Sequence, residues 1–186
     1  MTGEPSASDP REAQQRFEAL LREHRRIVFH IARTYAGHTD ERHDLVQEIC
    51  SQLWRAFPRY DASRRFSTWM YRIALNTGIT HLREAGMRTA HFEPLGDDVL
   101  DAAPDDDAPA ETAARLAELH ARIAQLDPLD RALILLYLDD RSHAEIADVL
   151  GISETNVATK IGRIKQRFRQ RMAGAHAPRG GPDGTR

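Results

Sequence analysis

Apolar residues recur at three- and four-residue spacing along most of the chain, and the strict alternation of a half-buried strand is nearly absent, so the pattern predicts an all-α protein. Three amphipathic stripes fill the first half. They are Phe17, Leu20, Leu21, Ile27, Val28 and Ile31; then Leu45, Val46, Ile49, Leu53, Trp54 and Phe57; then Trp69, Met70, Ile73 and Leu82. Pro58 stops the second helix, because its ring removes an N–H and clashes with the preceding turn. The stretch "PRYDASRRFS" between the second and third helices combines turn formers with Arg59, Arg64, Arg65 and two aromatics, which predicts an ordered loop with a basic surface. The helical period returns with Leu116, Leu119, Ile123 and Leu126. It continues into "DPLDRALILLYL", where Asp127 caps and Pro128 fits the first turn.

The sharpest local pattern follows. In "SHAE", Ser142 can accept from the backbone N–H of Glu145 while the Glu145 side chain returns to the cap, so a short helix starts there. It buries Ile146 and Leu150, keeps Ala147 small for a close crossing, ends at Gly151 and restarts after the cap Ser153: a helix, a tight turn and a second helix. At about 100° per residue, Val157, Ile161, Ile164, Phe168 and Met172 share one side of the second helix, and Thr155, Asn156, Thr159, Lys160, Arg163, Gln166 and Arg167 face away. No acid follows Glu154 on that helix. A solvated face usually mixes signs, whereas unrelieved cations suit a polyanion, so the face reads as DNA-binding. Asn156, Thr159, Lys160 and Arg163 lie where a recognition helix reaches base edges, Arg167, Arg169 and Arg171 suit phosphates, and Ser153 and Thr155 complete the expected DNA-binding set.

Charge changes the picture once it is localised. The chain carries 26 Lys plus Arg against 28 Asp plus Glu, yet from Thr89 to Ala114 there is no cation and eight acids with three prolines. Without that segment 20 acids face 26 cations, so the rest is net positive. The expected organisation is a tail (1–10), a helical domain (11–88), an acidic linker (89–112), a second helical domain (113–172) and a tail (173–186). No apolar run of membrane-spanning length occurs, and "MTGEPSASDPREAQQRF" lacks the apolar block of a signal peptide, so cytoplasmic residence without membrane contact is expected. The single cysteine, Cys50, reads as core.

"HDLVQEICSQLWRAFPRYD" with "FSTWMYRIALNTGITHLR" resembles the second conserved region of bacterial sigma factors, and "LDPLDRALILLYLDDRSHAEIADVLGISETNVATKIGRIKQRF" resembles the fourth. Over about residues 11 to 172, without third-domain helices, the chain resembles the small extracytoplasmic-function (group 4) sigma factors. The resemblance implies that Asp44, Leu45, Gln47, Glu48 and Gln52 dock on the β′ clamp helices of core RNA polymerase and that the second domain meets the β flap. It implies that Arg59, Tyr60, Asp61, Ser63, Arg64, Arg65, Phe66, Trp69, Arg72 and Asn76 recognise and melt the minus-ten element of promoter DNA, while the helix-turn-helix holds the minus-35 element. A basic groove with aromatic platforms and pockets is what single-stranded DNA requires. Trp69 fits either a core position or a DNA contact, and the linker either the RNA exit path or a solubilising tether. An anti-sigma partner is implied. Asn156 and Ala158 depart from the small or basic residues of many relatives, so base preference does not transfer.

The remaining chemistry argues against an enzyme, and no cofactor or metal is expected. Nine histidines include no H-E-x-x-H, and Asp40/His43 and Asp140/His143 are single pairs lacking a third ligand. Neither G-x-G-x-x-G nor a P-loop is present. A conventional dimeric helix-turn-helix regulator and a helical-bundle enzyme are the alternatives, and neither accounts for the basic aromatic loop.

Overall fold

A computed structural model describes residues 10–88 and 118–175; the acidic segment and the outer parts of both tails lie outside the described residues. Among the described residues every regular element is helical. Helix α1 (Pro10–Tyr35) buries Phe17, Ile27, Val28, Ile31, Ala32 and Tyr35, with Leu20 and Leu21 half-buried at its edge. Helix α2 (Thr39–Ala56) buries Leu45, Ile49 and Leu53, each four residues from the last and therefore on one stripe. Trp54, placed on that stripe by periodicity, is 43% exposed. The α2 helix tightens into a 3₁₀ turn (Phe57–Arg59) around Pro58, and the Tyr60 N–H donates to the Phe57 carbonyl at 2.9 Å. Helix α3 (Phe66–Arg88) buries Met70, Tyr71, Ala74 and Leu75.

These three helices pack pairwise against one another. Gly78 sets how closely α1 and α3 approach: a Cβ there would lie 3.0 Å from Cγ of Tyr35 and 3.3 Å from Cγ2 of Ile31. Cys50 is half-buried, and burial pushes its thiol pKa up, away from the reactive thiolate.

Residues 118–124 form a helical segment (α4), followed by α5 (Pro128–Leu138), α6 (His143–Leu150) and α7 (Glu154–Ala175). The chain divides into two compact units between Leu129 and Asp130. Residues 118–129 group with the first three helices: Arg33 Nη2 lies 3.3 Å from His120 Nε2, and the Tyr35 hydroxyl donates to the Pro128 carbonyl at 2.9 Å.

In the second unit, α6 carries the expected capping box. The Glu145 N–H donates to Ser142 Oγ at 3.2 Å, and the Ser142 N–H donates to the Glu145 carboxylate at 3.0 Å. Its buried pair is Ile146 and Val149; Leu150, expected inside, is half-buried because Val149 takes the inward position three residues after Ile146. Gly151 closes the helix at φ +68°, the left-handed region that costs glycine nothing. Ser153 Oγ then accepts from the Asn156 N–H at 3.3 Å, and α7 turns Val157, Ile161 and Ile164 inward. Phe168 is half-buried, and the helix runs to Ala175, beyond the expected end at 172.

Candidate nucleic-acid interface

With Val157, Ile161 and Ile164 committed to the core, the geometry of a helix leaves Thr155, Asn156, Thr159, Arg163, Gln166 and Arg167 exposed, as periodicity required, and Ser153 just before the helix is exposed too. Lys160 lies half-buried at the border. Thr159 Oγ1 donates back to the Thr155 carbonyl at 2.8 Å, which fixes its rotamer and leaves its oxygen free to accept. Lys165 turns inward, donating to the Tyr137 hydroxyl at 2.6 Å with its ammonium 4.0 Å from that ring's centre.

Sequence reasoning missed the group that two of these cations hold. Asp130, on the first turn of α5 with its side chain 8% exposed, accepts from Lys160 Nζ on Oδ1 at 3.3 Å and from Arg167 Nη2 on Oδ2. Lys160, Arg163, Arg167, Gln166 and Gln170 surround it in an open cleft of about 430 Å³. No local signal points to this pairing, because the partners lie 30 and 37 residues away.

In the first unit an aromatic cluster underlies the basic loop. Phe57 sits at its centre, with ring centroids 5.1 Å from Phe17, 6.0 Å from Tyr60, and 6.4 Å from each of Trp54, Phe66 and Trp69. Tyr60, Phe66 and Trp69 also touch one another, at 5.1–5.3 Å, and His24 stacks on Phe66. Phe66 is 6% exposed, which corrects its assignment as a platform for DNA: it is the loop's anchor. Tyr60 and Trp69 are half-buried, each packed into the cluster while keeping part of its surface in solvent.

The loop itself is tied down by its own polar groups. The Tyr60 hydroxyl donates to the Arg64 carbonyl at 2.6 Å, the Ser63 N–H donates to Asp61 Oδ1 at 2.9 Å, and the Arg64 N–H donates to the Asp61 carbonyl at 3.0 Å. The bonds from Ser63, chiefly its N–H, hold the Asp61 carboxyl below its ordinary pKa. Arg59, Asp61, Ser63, Arg64 and Arg65 are all exposed on this frame. Along α3, Arg65, Trp69, Arg72 and Asn76 follow at four-, three- and four-residue steps and so share a face. Thr80 and Arg83 extend it and are exposed; the same spacing would have found them.

On α2, Asp44, Gln47 and Glu48 are exposed and Gln52 is half-buried, its amide donating to Glu48 at 2.6 Å. Leu45 is 0% exposed. That corrects its inclusion among docking residues, since a side chain without surface seats the helix and touches no partner. Asp40, exposed four residues before Asp44, continues the acidic stripe.

A family model described as Sigma-70 region 2 matches residues 20–88, and one described as Sigma-70, region 4 matches residues 116–168. The chain is 31% identical over 163 residues to the RNA polymerase sigma factor CnrH of Cupriavidus metallidurans, covering 83% of this chain and 85% of that protein. It is 27% identical over 174 residues to the ECF RNA polymerase sigma factor SigW of Bacillus subtilis, covering 86% and 90%. Among solved structures, CnrH in complex with the cytosolic domain of CnrY aligns with a TM-score of 0.64 at 23% identity over 90% of this chain and 96% of that one. The sigma factor RpoE in complex with the anti-sigma factor NepR, from Bartonella quintana, aligns with the same TM-score at 16% identity, covering 86% and 96%. At these identities the two structures speak to the fold.

Proposed function

The chain belongs to the extracytoplasmic-function sigma factors of the sigma-70 family and serves promoter-directed transcription, and on that premise we propose how its surfaces divide the work. The acidic face of α2, centred on Asp44, Gln47 and Glu48, docks on core polymerase. The loop from Arg59 to Arg65, with Trp69, Arg72 and Asn76 of α3, takes the minus-ten strand. The face of α7 that begins at Ser153 and includes Asn156, Thr159 and Arg163 reads the minus-35 duplex. The chain performs no chemistry of its own and lends specificity to the polymerase. It works in the cytoplasm and is restrained by an anti-sigma partner that covers these surfaces; no helix among the described residues is long and apolar enough to cross a membrane.

The observation that carries this reading is the pairing of two separate cationic surfaces of different chemistry. From Thr155 to Gln170, α7 has no acid, and its exposed groups are cations, amides and hydroxyls suited to duplex edges and phosphates. The α3 surface adds half-exposed aromatic rings, which duplex binding does not need and an open strand does. The test is reconstitution. The purified chain should form a stable 1:1 complex with core polymerase and start transcription at discrete sites on genomic DNA. Tight operator binding without polymerase, and no stimulation of initiation, would overturn it.

A further inference from the structure

Lys160, Arg163 and Arg167 stand at i, i+3 and i+7 on α7, so all three look out over the cleft beside Asp130. Two are already engaged. Asp130 offers one oxygen to each, Oδ1 to Lys160 and Oδ2 to Arg167, from a side chain only 8% exposed. A carboxylate at that depth is costly to strand, because a buried charge that loses its partners is not rehydrated. A phosphate that takes one of these cations must compete with the carboxylate, and one that takes both removes two of its partners. Arg163, placed between them, is exposed and has no hydrogen bond or ion pair among the described residues.

We propose that Asp130 is a positioning residue that sets the selectivity of the duplex-reading face: it holds Lys160 and Arg167 on the protein, withholds them from the phosphates of arbitrary DNA, and leaves Arg163 to make the contact that depends on sequence. The inference rests on α7 meeting duplex DNA. It separates three roles by their consequences. A structural Asp130 predicts that its loss weakens every duplex. A mere counter-charge predicts an equal gain on every duplex. A positioning Asp130 predicts a gain on arbitrary duplex together with a loss of discrimination.

The experiment uses the full chain bound to core polymerase. The probes are a duplex selected from a random pool by the wild-type holoenzyme and a shuffled duplex of equal length, titrated by fluorescence anisotropy across a salt series. Asp130→Asn keeps the shape of the side chain and removes its charge. Binding to the shuffled duplex should tighten, with the log–log salt slope steeper by about one to two, at ~0.9 for each added phosphate. The ratio of selected to shuffled affinity should fall by roughly tenfold, and Asp130→Glu should restore it. An unchanged ratio, or an equal gain on both duplexes, overturns the proposal. Should circular dichroism show Asp130→Asn unfolded, Arg167→Gln decides instead. It should lose less than half of the ~0.9 slope that a lost phosphate contact costs, and a full loss overturns the proposal. Arg163→Gln guards the premise: no effect on either duplex would overturn the reading of α7 itself, whereas weaker selected binding with an unchanged Asp130→Asn ratio would overturn the role of Asp130 alone.

Discussion

Trp69→Ala separates the folding role of the aromatic cluster from a role in holding an open strand. Truncating a fully buried aromatic costs about 3–5 kcal/mol. The Trp69 ring is half-buried against Tyr60, Phe66 and Phe57, so about half of that, ~2 kcal/mol, is expected. A domain at the low end of ordinary stability, ~5 kcal/mol, then keeps about 3 kcal/mol and stays about 99% folded. Phe66→Ala is a poorer probe, because its ring is 6% exposed and its loss removes most of that reserve. If a base stacks on Trp69, the substitution removes about 1–3 kcal/mol of strand binding, a roughly 5- to 150-fold drop in the opening equilibrium. Permanganate footprinting of the holoenzyme on a fully paired promoter should show that drop. Run-off transcription from a template mismatched across the minus-ten segment should largely recover, because the pairing cost has been removed in advance. Wild-type opening on the paired template, with normal helicity, would assign Trp69 to the core alone and refute the argument.

Reversing Asp44 and Glu48 to Lys should abolish the pull-down of core polymerase while circular dichroism stays that of a folded helical protein, since both side chains are exposed on α2. Gly78→Ala places a methyl against the Tyr35 ring at 3.0 Å, and the overpacking cost of about 1–3 kcal/mol exceeds or matches the ~1 kcal/mol gained in helix propensity; urea unfolding of the first unit should shift to lower denaturant. His120 is held below its ordinary pKa of 6.5, first by burial and then by the charges of Arg33 and His30, so the unfolded chain takes the proton more readily than the folded one. That contribution is constant above about 6.5 and turns against folding as the pH drops below it, so the thermal midpoint should fall from about pH 7 to about pH 5 and fall less in His120→Gln.

What could be read from the residues was whatever is set within a turn or two. The capping box at Ser142, the glycine closure at Gly151 and the inward trio Val157, Ile161 and Ile164 are local consequences of helical geometry, and the DNA-facing side of α7 follows from them by subtraction. The three helices of the first unit were legible for the same reason. Contacts made at long range were not. Nothing near Asp130 says that its carboxylate meets Lys160 and Arg167, and nothing near His120 points to Arg33, 87 residues away. The aromatics of the loop show the limit most clearly. Composition marks Tyr60, Phe66 and Trp69 as rings beside arginines, but only the packing around Phe57 distinguishes the anchor Phe66 from the two rings that stay half-buried. Trp54 failed in the opposite sense, apolar and in register with the core stripe yet substantially exposed.

The ring cluster around Phe57 also decides what light can report about this molecule. Both tryptophans of the chain, Trp54 and Trp69, lie within it, at 6.4 Å from the same phenylalanine. From Asp130 onward there is no indole at all, only Tyr137 and Phe168. Intrinsic tryptophan emission is therefore a single-unit signal, sensitive to the loop and blind to the helix-turn-helix. An emission curve and a far-ultraviolet ellipticity curve recorded on one sample would track different populations. Wherever the two curves part, the difference dates the melting of the half that carries no tryptophan.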